Sequence, residues 1–344
     1  VRAGAAMTPQ FWRGRRVLVT GHTGFKGTWL CKWLDLLGAR VLGFSLPPDG
    51  YSLYPSAGFS QLHESVYGDV ADWQAFHAAY RAFEPEIVFH LAAQAIVGEA
   101  AKHPRETFLS NAMGAVNVLE CIRASDTARA AVIVTSDKVY ENNETGEAFL
   151  EDARLGGDEP YAASKSCQEL AAGAYRRIYF APRGVGVATA RASNVYCGGD
   201  LHYDRLIPHL IRAALAGQPA QLRSPDAVRP WQYLPDLLRG YLTLAERLYE
   251  EPARFSQAWN FGPPSSELYT VGDIARMIGG QTALPGERRF SEAGLLRIDS
   301  EKSRRLLGWA PRTALPEGLR RTIEFYHNLD AGASAGVLMA RELE

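Results

Sequence analysis

The sequence predicts an α/β fold: a doubly wound parallel sheet followed by a smaller, mixed α/β C-terminal substrate lobe. Two observations carry this. The stretch Val17-Leu18-Val19-Thr20-Gly21-His22-Thr23-Gly24-Phe25-Lys26-Gly27 runs from short apolar residues into spaced glycines. An amphipathic segment, Thr28 to Leu37, follows it, giving the order strand, tight turn, helix. Strand-like and helix-like stretches then alternate, with five strands by residue 135, the rhythm of a parallel sheet covered on both faces.

The glycine turn is the first element to justify. Gly21 admits dihedrals that a side chain would forbid. Gly24 leaves room for a pyrophosphate against backbone N–H groups at a helix start, where the helix dipole favours negative charge. Gly27 lets the helix lie close on the strand. With a strand before it and a helix after it, the turn reads as a Rossmann-type dinucleotide site, with Thr23, Phe25 and Lys26 as further cofactor-side candidates.

The remaining elements follow in order. Arg40 to Phe44 reads as a short strand, but its end, Phe44-Ser45-Leu46, lacks the acidic residue that binds ribose hydroxyls in NAD-type units, which leaves NAD against NADP open at this position. Residues 50–64 read as a loop, and Val66 to Val70 as a strand end. Asp69, beside Val70, either accepts from an adenine amino group or makes a turn. Asp72 to Phe83 reads as a helix. Glu86 to Ala92 is an apolar strand running into Leu91-Ala92-Ala93-Gln94, small residues where a cofactor comes close. Arg105 to Arg123 is a helical pattern enclosing Asn111 and Asn117, with Asn111 a cofactor-side candidate. Ala130 to Val134 is a buried strand that closes on Thr135-Ser136-Asp137-Lys138. Ligands on such sheets lie beyond the carboxyl ends of the strands, where Gly21, Gln94 and Ser136 all fall.

The chemistry concentrates at Thr135-Ser136-Asp137-Lys138-Val139-Tyr140 and at Tyr161-Ala162-Ala163-Ser164-Lys165. The i, i+4 spacing sets Tyr161 and Lys165 on one helical face. A neighbouring ammonium and a cationic nicotinamide are expected to lower the phenol's pKa, so that Tyr161 takes a proton from a substrate hydroxyl while Ser136 holds that hydroxyl.

These motifs resemble the extended short-chain dehydrogenase/reductases that act on nucleotide sugars, and most closely the CDP-glucose 4,6-dehydratases. The resemblance runs from about Phe11 to about Tyr326, through TGHTGFKG (20–27), VFHLAAQ (88–94), TSDKVYEN (135–142), YAASK (161–165), DRLIPHLIR (204–212), RPWQYL (229–234), WNFGP (259–263) and LGWAP (307–311). It implies NAD as cofactor and an internal redox cycle. Tyr161 deprotonates the sugar's 4-hydroxyl as hydride leaves C4, water is lost across C5 and C6, and the hydride returns to C6, giving a 4-keto-6-deoxy sugar. Asp137 is placed to protonate the departing 6-hydroxyl; the alternative is a helix-capping or salt-bridged aspartate. Lys138 stands where related dTDP-glucose enzymes carry an acidic residue. It is the C5 base, an electrostatic support for the enolate, or a partner of Asp137. Two stretches depart from the pattern: residues 140–161 lack a tryptophan-bearing segment, and residues 93–100 lack an arginine pair.

The second half is expected to bind the nucleotide sugar, with residues 11–190 mainly the NAD-binding domain and 191–330 mainly the substrate lobe. Gly184 to Ala190 reads as a strand leading to Asn194, which resembles the family's pyrophosphate-binding asparagine or is a loop residue. Leu206-Ile207-Pro208 begins a helix that in the family lies by the base, and Arg205, just before it, is a further substrate-side candidate. Arg223 and Arg229 are candidates for phosphate contact because guanidinium forks match phosphate oxygens. Asn260 either bonds substrate or ends a strand. Trp231, Tyr233, Trp259 and Trp309 read as core. Thr270 to Ile278 and Ser300 to Leu307 read as surface helices, and the tail after Tyr326 as peripheral.

Composition sets outer bounds. At 344 residues, 47% hydrophobic and 22% charged, with net charge −1, the chain has the make-up of a globular enzyme and offers no nucleic-acid or membrane surface. Cys31, Cys121, Cys167 and Cys197 are widely spaced, which fits free thiols in a reducing cytoplasm and no metal site. No apolar run is long enough to span a bilayer, and the first residues, VRAGAA, lack a signal peptide's apolar core. Three functions are compatible: a nucleotide-sugar 4,6-dehydratase, a 4-epimerase that needs no acid at position 137, and a cofactor-sensing protein that needs neither Tyr161 nor Lys165. The resemblance also implies a homodimer built on the helices at 105–123 and 161–181.

Overall fold

In a computed structural model of the chain, the described residues are 7–142, 144–202, 205–222, 224–264, 266–279 and 295–344, with the backbone of Thr282–Ala283. A short helix, α1 (Pro9–Trp12), leads into the sheet. Its strands are β1 (Arg16–Thr20), β2 (Arg40–Ser45), β3 (His63–Tyr67), β4 (Ile87–His90), β5 (Ala130–Val134) and β6 (Gly186–Ala192). A seventh strand, Ala258–Phe261, pairs with β6 at the edge, and all seven are parallel in the order 258–261, β6, β5, β4, β1, β2, β3. Strand order reverses between β1 and β4, the position where such sheets open a crevice for ligands.

Alternate side chains of each central strand feed opposite cores, as burial on both faces requires. Val17 and Val19 join a core with Trp12, Trp29, Leu237 and Tyr241. Leu18 joins a second core with Phe44, Phe76, Val118 and Ile133. The first layer includes α2 (Phe25–Leu36). The second is built by α3 (Trp73–Phe83), the run α4 (Val97–Lys102), α5 (Pro104–Phe108) and α6 (Gly114–Arg123), and α7 (Pro160–Tyr175). Residues 206–215 form α8 and 234–250 form α9, whose length lies against β5 and β6. The second half therefore contributes both a strand and a helix layer to the main sheet.

Several elements differ from expectation. The first long helix starts at Phe25, three residues early, because Gly24 already has extended N-cap dihedrals (φ −76°, ψ 166°) and needs no further loop. The third strand is His63–Tyr67, starting within the expected loop and ending before Gly68, inside the expected strand end at Val66–Val70. Val66 and Tyr67 stay exposed because the strand pairs only with β2, so burial does not fix its pattern. The expected helix at 105–123 is interrupted by a π-turn at Leu109–Met113, where Gly114 N–H bonds Leu109 O. A second π-turn, Arg176–Phe180, follows α7, and a third, Ser303–Leu307, occupies most of the expected helix at 300–307. The tail is not peripheral. Ala335–Leu343 is a helix on α2, with Ala335, Leu338 and Met339 buried, because its small and apolar residues recur at helical spacing. Trp231, Tyr233, Trp259 and Trp309 are buried in the core.

Candidate functional site

The site lies at the carboxyl ends of β1, β4 and β5. Gly21 ends β1 with φ +74°, and its N–H bonds Phe44 O at 2.9 Å. A Cβ there would lie 2.7 Å from the Ala92 backbone nitrogen, so the close approach of the β1 and β4 ends demands glycine. A Cβ on Gly27 would meet Gly21 O at 2.0 Å, which fixes how tightly α2 closes over the turn. Gly24 caps α2 without any side-chain hydrogen bond and is exposed, so the first-turn N–H groups are presented outward. Thr23 is turned away from that opening: its hydroxyl pairs with Ser45 Oγ at 2.7 Å and donates to Leu46 O at 3.0 Å. Phe25 packs on the larger core, with the Arg205 guanidinium over its ring at 5.9 Å.

Leu91 and Ala92 both donate backbone N–H groups to Thr20 Oγ1 at 3.2 Å. Asn111, from the π-turn, clamps Gln94 in both directions. Its Oδ1 accepts Gln94 N–H at 2.7 Å, and its Nδ2 donates to Gln94 O at 3.0 Å and to Ser164 Oγ at 2.9 Å. Asn111 is fully buried with its amide spent, so it shapes the Ala92-Ala93-Gln94 wall. Asp69 Oδ1 accepts Ala71 N–H at 2.9 Å, the turn geometry, and the Val70 carbonyl is taken by Asn117 Nδ2 at 2.9 Å. An uncapped helix start, a glycine-lined turn and a narrow wall of small residues fit a dinucleotide.

Ser136, Asp137, Tyr161 and Lys165 lie close together at the end of β5 and the start of α7. Ser136, Asp137 and Lys165 are buried, and Tyr161 is half-buried at the start of α7, whose N-cap Glu159 accepts Tyr161 and Ala162 N–H. Ser136, rather than Asp137, caps the short turn Asp137–Val139, accepting Lys138 N–H at 3.2 Å. Asp137 Oδ1 accepts from Ser136 Oγ at 3.2 Å, while Oδ2 is buried with no partner. Burial raises the Asp137 pKa against the pull of Lys138, the Ser136 hydroxyl, Lys26 and Arg229. The carboxyl is thus held towards its protonated form. Lys138 is half-buried and makes no ion pair with Asp137.

In the protein alone, burial pushes the Tyr161 phenol up to about 12, with Ser136 and Arg205 opposing and Asp137 and Glu159 reinforcing the rise. Lys165 Nζ donates to Val134 O at 3.1 Å and to Gln168 Oε1 at 3.0 Å, and burial and then Lys26 bring its own pKa down to about 7. The Lys165 ammonium is thus directed at the strand and at Gln168.

The candidate residues of the second half fall into different environments. Asn260 is fully buried, and its amide is spent: Oδ1 accepts Tyr140 OH at 2.6 Å, and Nδ2 donates to Phe149 O and Asp299 O at 2.9 and 3.0 Å. These contacts fit the strand alternative, within Ala258–Phe261. Asn194 lies half-buried in a short strand that pairs with Trp231–Tyr233. Arg205 caps α8, reaches Asp200 Oδ2 at 2.8 Å, and lies within electrostatic range of Lys26 and Tyr161. Leu206 and Ile207 open α8, with Ile207 buried. Arg229 is buried and acts on Asp137. Arg223 lies outside the described residues.

Lys26, expected on the cofactor side, also lies within electrostatic range of Asp137, Asp200, Arg205 and Lys165, and burial brings its pKa down to about 8. Sequence reasoning missed one group near the site. Tyr241, a core residue of α9, carries a buried hydroxyl with no hydrogen-bond partner within range of Tyr161 and Asp137. Nothing in the amphipathic pattern of α9 distinguishes it from its apolar neighbours.

With this geometry established, comparison with known proteins is decisive about family. The profile of the NAD dependent epimerase/dehydratase family matches residues 17–262. The chain is 41% identical over 345 residues to CDP-glucose 4,6-dehydratase of Salmonella typhimurium, covering 97% of this chain and 96% of the relative. It is 28% identical to UDP-glucose 4-epimerase of Mycolicibacterium smegmatis, covering 91% and 99%. Among solved structures, dTDP-glucose 4,6-dehydratase of Streptomyces venezuelae, determined with NAD bound, superposes with a TM-score of 0.77 at 25% identity, covering 92% of this chain and 98% of that one. The chain belongs to the NAD dependent epimerase/dehydratase family.

Proposed function

We propose that the protein is an NAD-dependent nucleotide-sugar 4,6-dehydratase converting CDP-D-glucose to CDP-4-keto-6-deoxy-D-glucose and water. The observation that carries the reading is Asp137: a buried carboxyl with one unpartnered oxygen, held towards its protonated form, beside Ser136 and Tyr161. An epimerase has no use for an acid there, whereas elimination of the 6-hydroxyl requires one. The 41% identity with the Salmonella dehydratase over nearly the whole chain supports the same choice.

The nucleotide would lie along Gly21, Gly24, Phe25, Lys26 and Gly27 and the Leu91–Gln94 wall, with Asp69 and Val70 at the adenine end; when bound, NAD supplies the site with a hydride acceptor that later returns the hydride. Tyr161 takes the proton of the 4-hydroxyl, and Ser136 holds that oxygen. A phenol at about 12 in the free protein makes this proton transfer dependent on the positive charge that the cofactor brings. Asp137 delivers its proton to the departing 6-hydroxyl. Lys138 faces the C5 proton as base or as electrostatic support for the enolate. Asn194, Arg205 and Arg229 hold the diphosphate. In this reading residues 11–190 serve mainly the cofactor and 191–330 mainly the sugar nucleotide.

The helix run 104–123 with α7 and its π-turn exposes Phe108, Leu109, Met113, Leu170, Ile178 and Tyr179, a set that supports a homodimer through this face. No helix among the described residues is long and apolar enough to cross a membrane. The four free cysteines fit a cytoplasmic enzyme.

The test is incubation with NAD⁺ and CDP-, dTDP- or GDP-glucose, followed by alkali and detection of the 4-keto-sugar chromophore. Signal with CDP-glucose supports the reading. Signal with another nucleotide only moves the substrate, and silence with all of them removes the dehydratase assignment.

A further inference from the structure

Lys165 is usually thought of through what it faces, but its free energy is set equally by what stands behind it. Gln168, one turn further along α7, is fully buried. Its Oε1 accepts from Lys165 Nζ at 3.0 Å, and its Nε2 donates to the Asn111 carbonyl, inside the π-turn, at 2.7 Å. The amide cannot be reversed. Reversal would set two acceptor oxygens against each other at Asn111 and an N–H group against the lysine. The second amide hydrogen faces His90 Nε2 at 3.4 Å, and His90 Nδ1 pairs with Thr20 Oγ1 at 2.7 Å. His90 is fully buried and neutral, because burial and Lys165 bring its pKa down to about 3.

We propose that Gln168 is a positioning residue for Lys165: its amide, oriented by the Asn111 carbonyl, directs the lysine at β5 and supplies an acceptor that favours the ammonium. The geometry is a continuous buried chain of Thr20, His90, Gln168 and Lys165, tied at Asn111 to the Gln94 wall. It links the lysine to both strand ends that flank the crevice by direct side-chain contacts. The charged and titratable groups around Lys165 are Lys26 from α2, His90 from β4 and Glu169 from α7 itself. Lys26 opposes the ammonium and Glu169 supports it, while His90 is neutral and contributes no charge. The Gln168 oxygen and Val134 O are therefore its two direct acceptors. The inference deepens the proposed dehydratase site, and its test does not require turnover.

The experiment is an NMR pH titration of the full chain carrying ¹³Cε-labelled lysine, with the Lys165 resonance identified by its loss in Lys165→Arg. The native midpoint is expected near 7. Gln168→Met removes the acceptor and is expected to lower the midpoint by about one pH unit, the size of one lost hydrogen bond to a charged group. Gln168→Glu places a carboxylate oxygen at the same point and is expected to raise it. A packing role would alter melting temperature and leave both midpoints unmoved, and that result overturns the proposal, as does movement of both in one direction. If Gln168→Met does not fold, the Gln168→Glu midpoint decides alone: a rise supports the proposal, and no change or a fall overturns it. Failure of the dehydratase assay with the expected midpoint shifts would sink the function and leave this wiring intact.

Discussion

The two sides of the crevice are built by opposite means. The cofactor side, at the ends of β1 and β4, is backbone: Gly21, Gly24 and Gly27 leave space, and peptide groups of Leu91, Ala92 and Gln94 are pinned by Thr20 and Asn111. The floor beside β5, β6 and α7 is buried charge. Glu169 accepts from Arg191 Nε at 3.0 Å and Nη2 at 2.9 Å, from Thr135 Oγ1 at 2.6 Å and from Thr189 Oγ1 at 2.7 Å. Arg191 Nη1 continues to Tyr140 OH at 2.8 Å and Glu151 O at 2.9 Å, and Tyr140 reaches Asn260. A backbone rim tolerates many side chains but no added bulk. A floor of buried charges tolerates little loss, because removing one partner strands the other in a low-dielectric interior.

The largest break in this comparison is chemical. Tyr161→Phe is expected to slow the first hydride transfer about 10⁴-fold, read as NADH absorbance in a single turnover, with NAD affinity kept because the rim is untouched. Next comes the floor. Arg191→Met is expected to cost about 3–5 kcal/mol in urea unfolding, since Glu169 stays behind unpaired; a loss under 1 kcal/mol would mean the network is not a structural unit. Asp137→Asn is expected to slow elimination about 10²–10³-fold while C4–H exchange persists, because the acid acts only on the leaving 6-hydroxyl. Equal loss of both steps would count against the acid role. Asn260→Ala sharpens the contrast: about 1–3 kcal/mol of stability lost, with KM for the nucleotide sugar raised no more than twofold.

The smallest effect is remote from the crevice. Glu246 on α9 accepts Thr8 N–H and Trp12 Nε1, and burial raises its pKa to about 7. The folded state then holds this proton between the unfolded value and about 7, so its contribution to stability is full at low pH and lost as pH rises through that window. Glu246→Gln is expected to flatten the pH dependence of urea unfolding between pH 5 and 8 by ~2 kcal/mol at most. An unchanged slope would show that the raised value is wrong.

Much of the site was legible because its parts are short in sequence. Gly21 to Gly27 is one turn and the start of one helix, and Tyr161 with Lys165 is one helical turn, so local rules suffice. Asp137 was legible only as a candidate acid or a capping aspartate, and the structure adds its burial and its unpartnered oxygen. Asn260 was left open between a substrate contact and a strand residue, because the sequence does not show its three interior partners. Spacing likewise sets Lys165 on the face of Tyr161, but only the position of Val134 O and Gln168 decides where the ammonium points.

The buried tail shows the same limit on a larger scale. Its apolar spacing was visible, but α2 as its partner was not, because the two lie about three hundred residues apart in the chain.

By itself the sequence determined the strand–helix alternation, the glycine turn, the seating of the reacting residues on strand ends and one helix face, and the family likeness, all properties of contiguous residues. The tertiary structure alone decided the protonation preferences of Asp137, Tyr161 and Lys165, the assignment of Asn260 to the interior, and the bridging of Lys165 to Asn111. Those depend on burial and on hydrogen-bond partners contributed by strands and helices distant in the chain, and no local pattern encodes which of them will meet.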